Sequence, residues 1–428
     1  MRTAAGARRR CAQLPHGGEH GTACTALVKI VVYHNLLWPR YKGAIFTRLY
    51  ALCKSGGVDA QFVQIAETLG QYARLGPVDL SYHNYPFKLL IQGDYDKASR
   101  LSVFWVIARD LLQRRCDLVV LPGYESPQYW MMLALCMLLG RRRAVFCDST
   151  ALDNPRKVAL REFAKRLFFS RCDGIFCYGQ RSMEYMRGYG VPPARIFFPC
   201  QAAALPHGYQ PDAVQAAYDA AANSGDAVNA VAAITAEAPT TTDPRFLYLG
   251  RLAVEKGVDD LLRALRLVRA NISGARLDVV GAGPLEATLR TRMLELGLAD
   301  AVTLHGALPL ADVEPLFYRS LAMVVPSHRE PWGLVVNESL SYGCPVVVSD
   351  RCGCVPELVV EGVTGYSFPC GNIERLSAAM LAVAQLSADR PATARRCLEL
   401  MSGFTPERAA EKILAGCRQI TAVPAGSA

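Results

Sequence analysis

Two stretches of the chain repeat one hydrophobic rhythm: a short unbroken apolar run, a polar break, then apolar positions three or four residues apart. In the first stretch VKIVVYH, CDLVVLPGY, RAVFCDS and GIFCYG are such runs, and DAQFVQI is another, following the helical pattern FTRLYALCKSGG that two glycines end. Runs this short and this rich in Val, Ile and Phe predict strands buried on both faces, and the three-to-four spacing predicts the helices that cover them. The rhythm restarts at RFLYLGRL and continues through ARLDVVGAG, AVTLHGAL, LAMVVPS and PVVVSD. Alternating strands and helices build a parallel sheet with helices on both faces, so the expected fold is α/β, with two Rossmann-like doubly wound domains facing each other across a cleft.

The pattern also sets the boundaries. Residues 1–27, with Arg8-Arg9-Arg10 among Gly, Ala and His, have no apolar period and are expected to be a disordered extension. Residues 28–200 form the first domain. Residues 201–243, Ala-rich with Asn-Ser-Gly and Pro-Thr-Thr-Thr, are expected to be a linker or insertion, helical in part at DAVQAAYDAAA. Residues 244–403 form the second domain, and 404–428 a terminal helix and tail, where PERAAEKILAGCRQI suits either domain. The run YWMMLALCMLLG, Tyr129 to Gly140, is too short to span a bilayer and is expected to be a buried helix.

Charge adds a direction. Residues 1–200 hold 28 Lys+Arg against 14 Asp+Glu, and residues 201–428 hold 19 against 24, so the net +9 conceals a basic first half and an acidic second. A basic half suits an anionic partner, or is simply a cationic surface. No nucleic-acid-binding module is present, so no nucleic acid is expected. The 15 cysteines are scattered, and the closest set, Cys344, Cys352, Cys354 and Cys370, lacks paired Cys-x-x-Cys spacing and nearby histidines. Reduced thiols in a cytoplasmic protein, with no metal, are expected.

The chemistry-bearing residues cluster in the second half. LDVVGAGPLEATLR puts a Gly-x-Gly-Pro turn between strand and helix, where amides can approach a phosphate or where glycine is needed only for a tight turn. It is not the full dinucleotide fingerprint. GRLAVEKG, Gly250 to Gly257, puts Arg251 and Lys256 at the end of the first strand of the second domain. Two cations there could stabilise a leaving diphosphate, or be solvated loop residues. HREPWGLVVNESLSYG, 328 to 343, places Glu330 in a loop ahead of a helix and Glu338 one turn inside it, with Gly343 as the stop. These carboxylates could reach two hydroxyl-bearing parts of one ligand, or be a first-turn charge and a solvated face residue. Asp94-Tyr95-Asp96 has the form of a metal-holding carboxylate pair but lies far from these motifs, where a helix cap explains it. REFAKRLFFSR, 161 to 171, mixes Arg and Phe: it either rests on an anionic membrane or turns its Phe side inward and its Arg side to solvent.

From about Phe246 to Ala382 the motifs YLGRLAVEKG, VVGAGPLE, VTLHGAL, EPWGLVVNE, SLSYGCPVVVSD and GCVPELVVEGVTGYSF together resemble the retaining glycosyltransferases of family 4, the group 1 glycosyl transferases with the GT-B fold. The resemblance implies a sugar moved from a nucleotide-sugar donor (UDP-, GDP- or ADP-linked) to an acceptor hydroxyl with retention and without metal or other cofactor, in polysaccharide or glycoconjugate biosynthesis. At matching positions Arg251 and Lys256 would hold the donor diphosphate, Glu330 would bind sugar hydroxyls, Trp332, Gly333 and Leu334 would offer backbone groups near sugar and phosphate, Glu338 would hold the ribose, and Gly250 would border the donor.

The first domain matches more loosely. Where the family often has a Gly-Gly loop, the chain has Pro39-Arg40-Tyr41-Lys42-Gly43-Ala44 with one glycine, and Gly43 would let the backbone approach the diphosphate. Where many relatives have a histidine, it has Asp148-Ser149-Thr150: either Asp148 touches donor sugar or acceptor, or Ser149 and Thr150 cap a helix. The acceptor is expected to be lipid-linked or a saccharide, with the enzyme cytoplasmic or peripheral at the inner face of the membrane. The alternatives are a nucleotide-sugar epimerase of the same twin-domain fold and a non-catalytic nucleotide-sugar binder.

Overall fold

The computed structural model describes residues 27–70, 76–153, 158–223 and 244–422. The extension expected over 1–27 therefore lies, except for Leu27, outside the described residues, as does the 224–243 part of the proposed linker. Seven parallel strands form the first sheet: β1 (Val28–Leu36), β2 (Val58–Thr68), β3 (Phe87–Asp94), β4 (Leu118–Leu121), β5 (Arg142–Cys147), β6 (Gly174–Cys177) and β7 (Ile196–Phe197). Their order is β3-β2-β1-β4-β5-β6-β7. Six parallel strands form the second: β8 (Arg245–Leu249), β9 (Arg276–Val280), β10 (Val302–Gly306), β11 (Ala322–Val325), β12 (Val346–Ser349) and β13 (Gly365–Phe368), ordered β10-β9-β8-β11-β12-β13.

Each sheet is buried on both faces, as the unbroken apolar runs predict. On one face of the first sheet the helices Arg100–Gln113, Pro127–Leu138, Ala159–Ser170 and Gln180–Gly188 pack through Val103, Met132, Phe168 and Met186. On the other, Arg40–Ser55 packs beside the last helix, Pro406–Ala422, which inserts Ala410, Ile413, Cys417 and Ile420. The terminal helix thus belongs to the first domain's core, although it follows the second domain in the chain. Its Gly416 permits the approach: a Cβ there would lie 2.6 Å from Phe176 and 2.8 Å from Phe197. The helix Pro211–Asn223, inside the stretch read as linker or insertion, packs Val214 and Tyr218 into the second domain, and the Tyr218 hydroxyl donates to the Tyr342 carbonyl at 2.9 Å. The chain therefore crosses between the domains twice, before 211 and again before 406.

The sequence pattern did not announce β3, the two-residue β7 or the four-residue β13, and β3 is the longest of these. It lies at the sheet edge, and none of its residues is fully buried, so its alternation is weak. The thirteen cysteines among the described residues are all free and eleven are buried, filling the cores as small apolar side chains. Strand order reverses between β1 and β4 in one sheet and between β8 and β11 in the other. At such reversals adjacent crossovers leave to opposite sides and open a crevice at the carboxyl ends of the strands, which is where chemistry is expected in this architecture.

Candidate active site

In the second domain the loops following β8 and β11 flank that reversal, and the loop after β12 joins them. The segments are fastened by backbone bonds: His328 N–H donates to Glu255 O at 2.9 Å, Leu252 N–H to Ala282 O at 3.0 Å, Gly353 N–H to Glu330 O at 2.9 Å and Cys354 N–H to Trp332 O at 3.0 Å. Glu330 and Cys352 also form an isolated parallel bridge. Charged side chains on these loops are consequently held on a frame rather than on free turns.

Of the residues singled out from sequence, Lys256 and Glu330 are brought together. Lys256 Nζ lies 2.5 Å from Glu330 Oε2, with about a fifth of either side chain exposed. They are separated by 74 positions, so the fold alone makes the pair. Arg251 is on the same loop as Lys256 but is half exposed and pairs with Glu255 at 2.6 Å. Gly250 borders the same loop, its N–H donating to Val280 O at 3.0 Å. Its close neighbour is Gly281, where a Cβ would meet the Gly250 carbonyl at 1.9 Å, so the Gly-x-Gly-Pro turn is explained here by close packing of two loops.

The helix Leu334–Ser341 begins at Gly333, whose φ of +100° is left-handed and suits glycine. Val336 N–H returns to Gly333 O at 2.9 Å, which leaves the N–H groups of Leu334 and Val335, and among the described residues no side chain caps them. This leaves an N-terminus of positive character beside Glu330 and Lys256. Trp332 is buried, and its indole N–H donates to Asn337 Oδ1 at 2.8 Å, which locks the turn into the helix. Glu338 is partly buried one turn further on. Burial pushes its carboxyl up to about 7, and Arg40 of the first domain pulls the other way. Among the described residues its carboxylate makes no recorded hydrogen bond.

The first domain contributes differently from the expectation. Pro39–Ala44 is not a loop: the helix Arg40–Ser55 starts at Arg40, and Gly43 N–H is already bonded to Pro39 O at 3.2 Å. Gly43 instead lets His83 approach, since a Cβ would lie 2.8 Å from the imidazole. Beside it Lys42 is almost fully buried, and its ammonium lies 4.4 Å and 4.6 Å from the ring centres of Phe146 and Tyr178 without a hydrogen-bond partner. Burial pulls it down to about 8, with Cys200 and Asp148 opposing. Asp148 follows β5 and is exposed, yet the protein packed around it raises its carboxyl, with Lys42 opposing. Thr150 is buried and bonds Asp153 through its hydroxyl at 2.8 Å.

Asp94 is no partner in this site. Its side chain accepts from Asp96 N–H at 3.0 Å and caps the short turn Tyr95–Lys97, as the cap reading has it. The domains meet through residues the sequence did not flag. Arg181 Nη1 donates to the carbonyls of Asp350 at 2.6 Å and Cys352 at 2.8 Å, and the Gln180 N–H donates to the Glu357 carboxylate. Burial pushes Glu357 up to about 6. At Gly179 a Cβ would lie 2.3 Å from both the Glu357 carboxylate and the Trp332 ring, so the domains touch at a side-chain-free point. The available signal was a Tyr-Gly pair directly after the strand GIFCYG, at the edge where a cleft must lie. Between Asp350–Arg351 and the helices Ala159–Ser170 and Gln180–Gly188 opens a cavity of about 940 Å³, reaching Thr150 beside Asp148.

Residues 233–396 match the family model described as glycosyl transferases group 1. A glycogen synthase of Mycobacterium tuberculosis is 35% identical over 161 residues, which is 38% of this chain and 38% of the relative. A GDP-mannose-dependent alpha-(1-6)-phosphatidylinositol monomannoside mannosyltransferase of the same species is 36% identical over 158 residues, 34% of this chain and 39% of the relative. The matched part thus spans about two fifths of these relatives' length. Among solved structures, the apo form of a lipopolysaccharide outer core galactosyltransferase superposes with a TM-score of 0.65 at 15% identity, covering 91% of this chain and 99% of the other. That likeness runs through both domains and is one of fold.

Proposed function

We propose, starting from a chain whose second domain belongs to glycosyl transferases group 1 and whose two domains form a GT-B fold, that it moves a sugar from a nucleotide-sugar donor to an acceptor hydroxyl. The observation that carries this reading is the Lys256–Glu330 pair, held by three loops at the strand-order reversal and adjoining an uncapped helix N-terminus. The donor diphosphate takes the place beside Lys256, Arg251 and the first amides of Leu334–Ser341, where positive charge stabilises the phosphate as it leaves. Glu330, released from Lys256, accepts from sugar hydroxyls. Glu338 accepts from the ribose, and with its carboxyl raised to about 7 it does so most strongly above that pH, as the carboxylate.

The finer reading is that of family 4: transfer with retention and no metal. The bond from the anomeric carbon to the phosphate oxygen breaks, the bond to the acceptor oxygen forms on the same face, and the acceptor proton passes to the departing phosphate. Asp148, exposed at the end of β5, contacts donor sugar or acceptor. The acceptor is lipid-linked or a saccharide, as polysaccharide and glycoconjugate biosynthesis require, and the protein works in the cytoplasm, peripheral at the inner face of the membrane. No helix among the described residues is long and apolar enough to cross a membrane.

The test is a thermal-shift screen against UDP, GDP, ADP and their sugars, with and without EDTA. A shift from one nucleotide that survives EDTA and disappears in Lys256→Ala supports the donor site and its metal independence. No shift from any of them removes the donor site and with it the activity. Conversion of a nucleotide sugar without acceptor would select the epimerase instead.

A further inference from the structure

The outer side of the first domain is built unlike an ordinary water-facing surface. The helices Arg100–Gln113, Pro127–Leu138 and Ala159–Ser170 bury one side in the same core, and ring contacts such as Trp130–Phe168 at 5.0 Å hold neighbours side by side. Their opposite sides therefore face outward together. On that side Trp105 is 68% exposed, Leu138 82%, Leu160 76% and Phe163 66%, with Leu101 and Leu112 also exposed. Leu101, Trp105 and Leu112 form one stripe at helical spacing, and Leu160 and Phe163 another. A folded domain ordinarily turns such stripes inward, so apolar side chains this large and this exposed on neighbouring helices mark an interaction surface.

The exposed charge on these three helices is of one sign. Arg100, Arg109, Arg161 and Arg166 are exposed, and none forms an ion pair among the described residues. The three helices carry two acids, and both are engaged within the domain: Asp110 is buried against Lys88 and Arg114, and Glu162 pairs with Lys165 and accepts from the Tyr189 hydroxyl. An apolar surface ringed by unneutralised arginines complements a plane of anionic head groups above hydrocarbon. A second copy of the chain would set like charges against one another. Residues 1–26 carry Arg8, Arg9 and Arg10, are again cationic, and have few large apolar residues to offer the stripe.

We propose that this three-helix side is a docking surface for an anionic lipid bilayer, with Trp105, Leu138, Leu160 and Phe163 entering the interface and the arginines engaging head groups. It deepens the peripheral placement proposed above and rests on that part of the reading alone. Phe163 also lines the interdomain cavity, together with Arg166 and Arg351, so a membrane-held amphiphile would meet the cavity mouth at the edge of the docking surface.

The experiment is co-sedimentation of the full chain with vesicles of phosphatidylcholine alone or containing phosphatidylglycerol, at low and high salt. Binding to the anionic vesicles, weakened by salt, is expected; Trp105→Glu with Phe163→Glu should reduce it by about tenfold or more. Leu294→Glu, an equally exposed apolar site on the second domain, should leave it unchanged. The nucleotide thermal shift of the double variant should match the wild type, which separates loss of the surface from loss of the donor site. No pelleting with anionic vesicles, equal pelleting of the double variant, or self-association abolished by Trp105→Glu would each overturn the assignment.

Discussion

Glu338 is a carboxylate kept where the fold alone would prefer none, and Glu338→Gln measures that preference. In the folded chain burial raises its pKa from 4.5 to about 7, whereas the unfolded chain returns it to the ordinary value. A raised carboxyl favours the folded state below about pH 4.5, where the acid is protonated in both states, and that advantage is lost as pH rises through 7. At about 1.4 kcal/mol per unit the full difference is about 3 kcal/mol, and partial accessibility reduces it to about 1–2 kcal/mol. Gln has nearly the same shape and no ionised form, so it escapes the loss. At pH 8 the variant should melt about 4 °C above wild type, and near pH 4.5 the two should coincide. If Glu338 also holds the ribose, the variant should bind the nucleotide about tenfold or more weakly at pH 8, since a bond to a charged acceptor contributes about 1.5–3 kcal/mol. Melting curves at both pH values with a nucleotide titration decide it. A variant no more stable than wild type at pH 8 refutes the electrostatic argument, and unchanged nucleotide affinity refutes the ribose role.

Other substitutions probe the remaining groups. Lys256→Ala and Glu330→Ala should each lower turnover by about a hundredfold or more while circular dichroism stays native, and wild-type turnover in either would remove the proposed site. Lys42→Met should raise the melting temperature at pH 7: the ammonium is held at about 8 against 10.5 unfolded, so the folded state is disfavoured below 8 and recovers above 10.5. Equal stability at pH 7 would mean that the Phe146 and Tyr178 rings compensate the buried charge in full. Asp94→Asn should leave turnover within about twofold, as expected for a half-buried cap of a short turn; loss of activity restored by excess Mn²⁺ would point to a metal.

Much of the architecture was legible because parallel strands buried on both faces have an unmistakable pattern: VKIVVYH, LAMVVPS and PVVVSD all appear as strands. The loops of the candidate site were legible because each combines glycines, a cation or a carboxylate, and a following helix within a few residues. What pairs with what was not. Lys256 meets Glu330 through strand order, which a linear pattern does not contain. In the first domain the helix start at Arg40 was not legible, because a glycine after a proline suits a turn as well as a helix start packed on a neighbour, and only the position of His83 distinguishes them. The destination of the terminal helix depended likewise on a tertiary fit, Gly416 against Phe176 and Phe197, that leaves only an inconspicuous glycine in the sequence.

The double crossing of the chain bears on how the protein can be taken apart. A fragment ending near residue 403 is not the protein minus a tail: it removes a structural wall of the amino-terminal half and exposes Phe176, Phe197 and Cys200 to water. A chimera that exchanges acceptor specificity must accordingly be assembled from three pieces, with residues 406–422 travelling with the amino-terminal parent and 211–401 inserted between them. Recombination at the single midpoint near residue 200 would pair the Gly416 notch of one parent with the phenylalanines of another, and such hybrids should fail at folding before they can report on substrate choice.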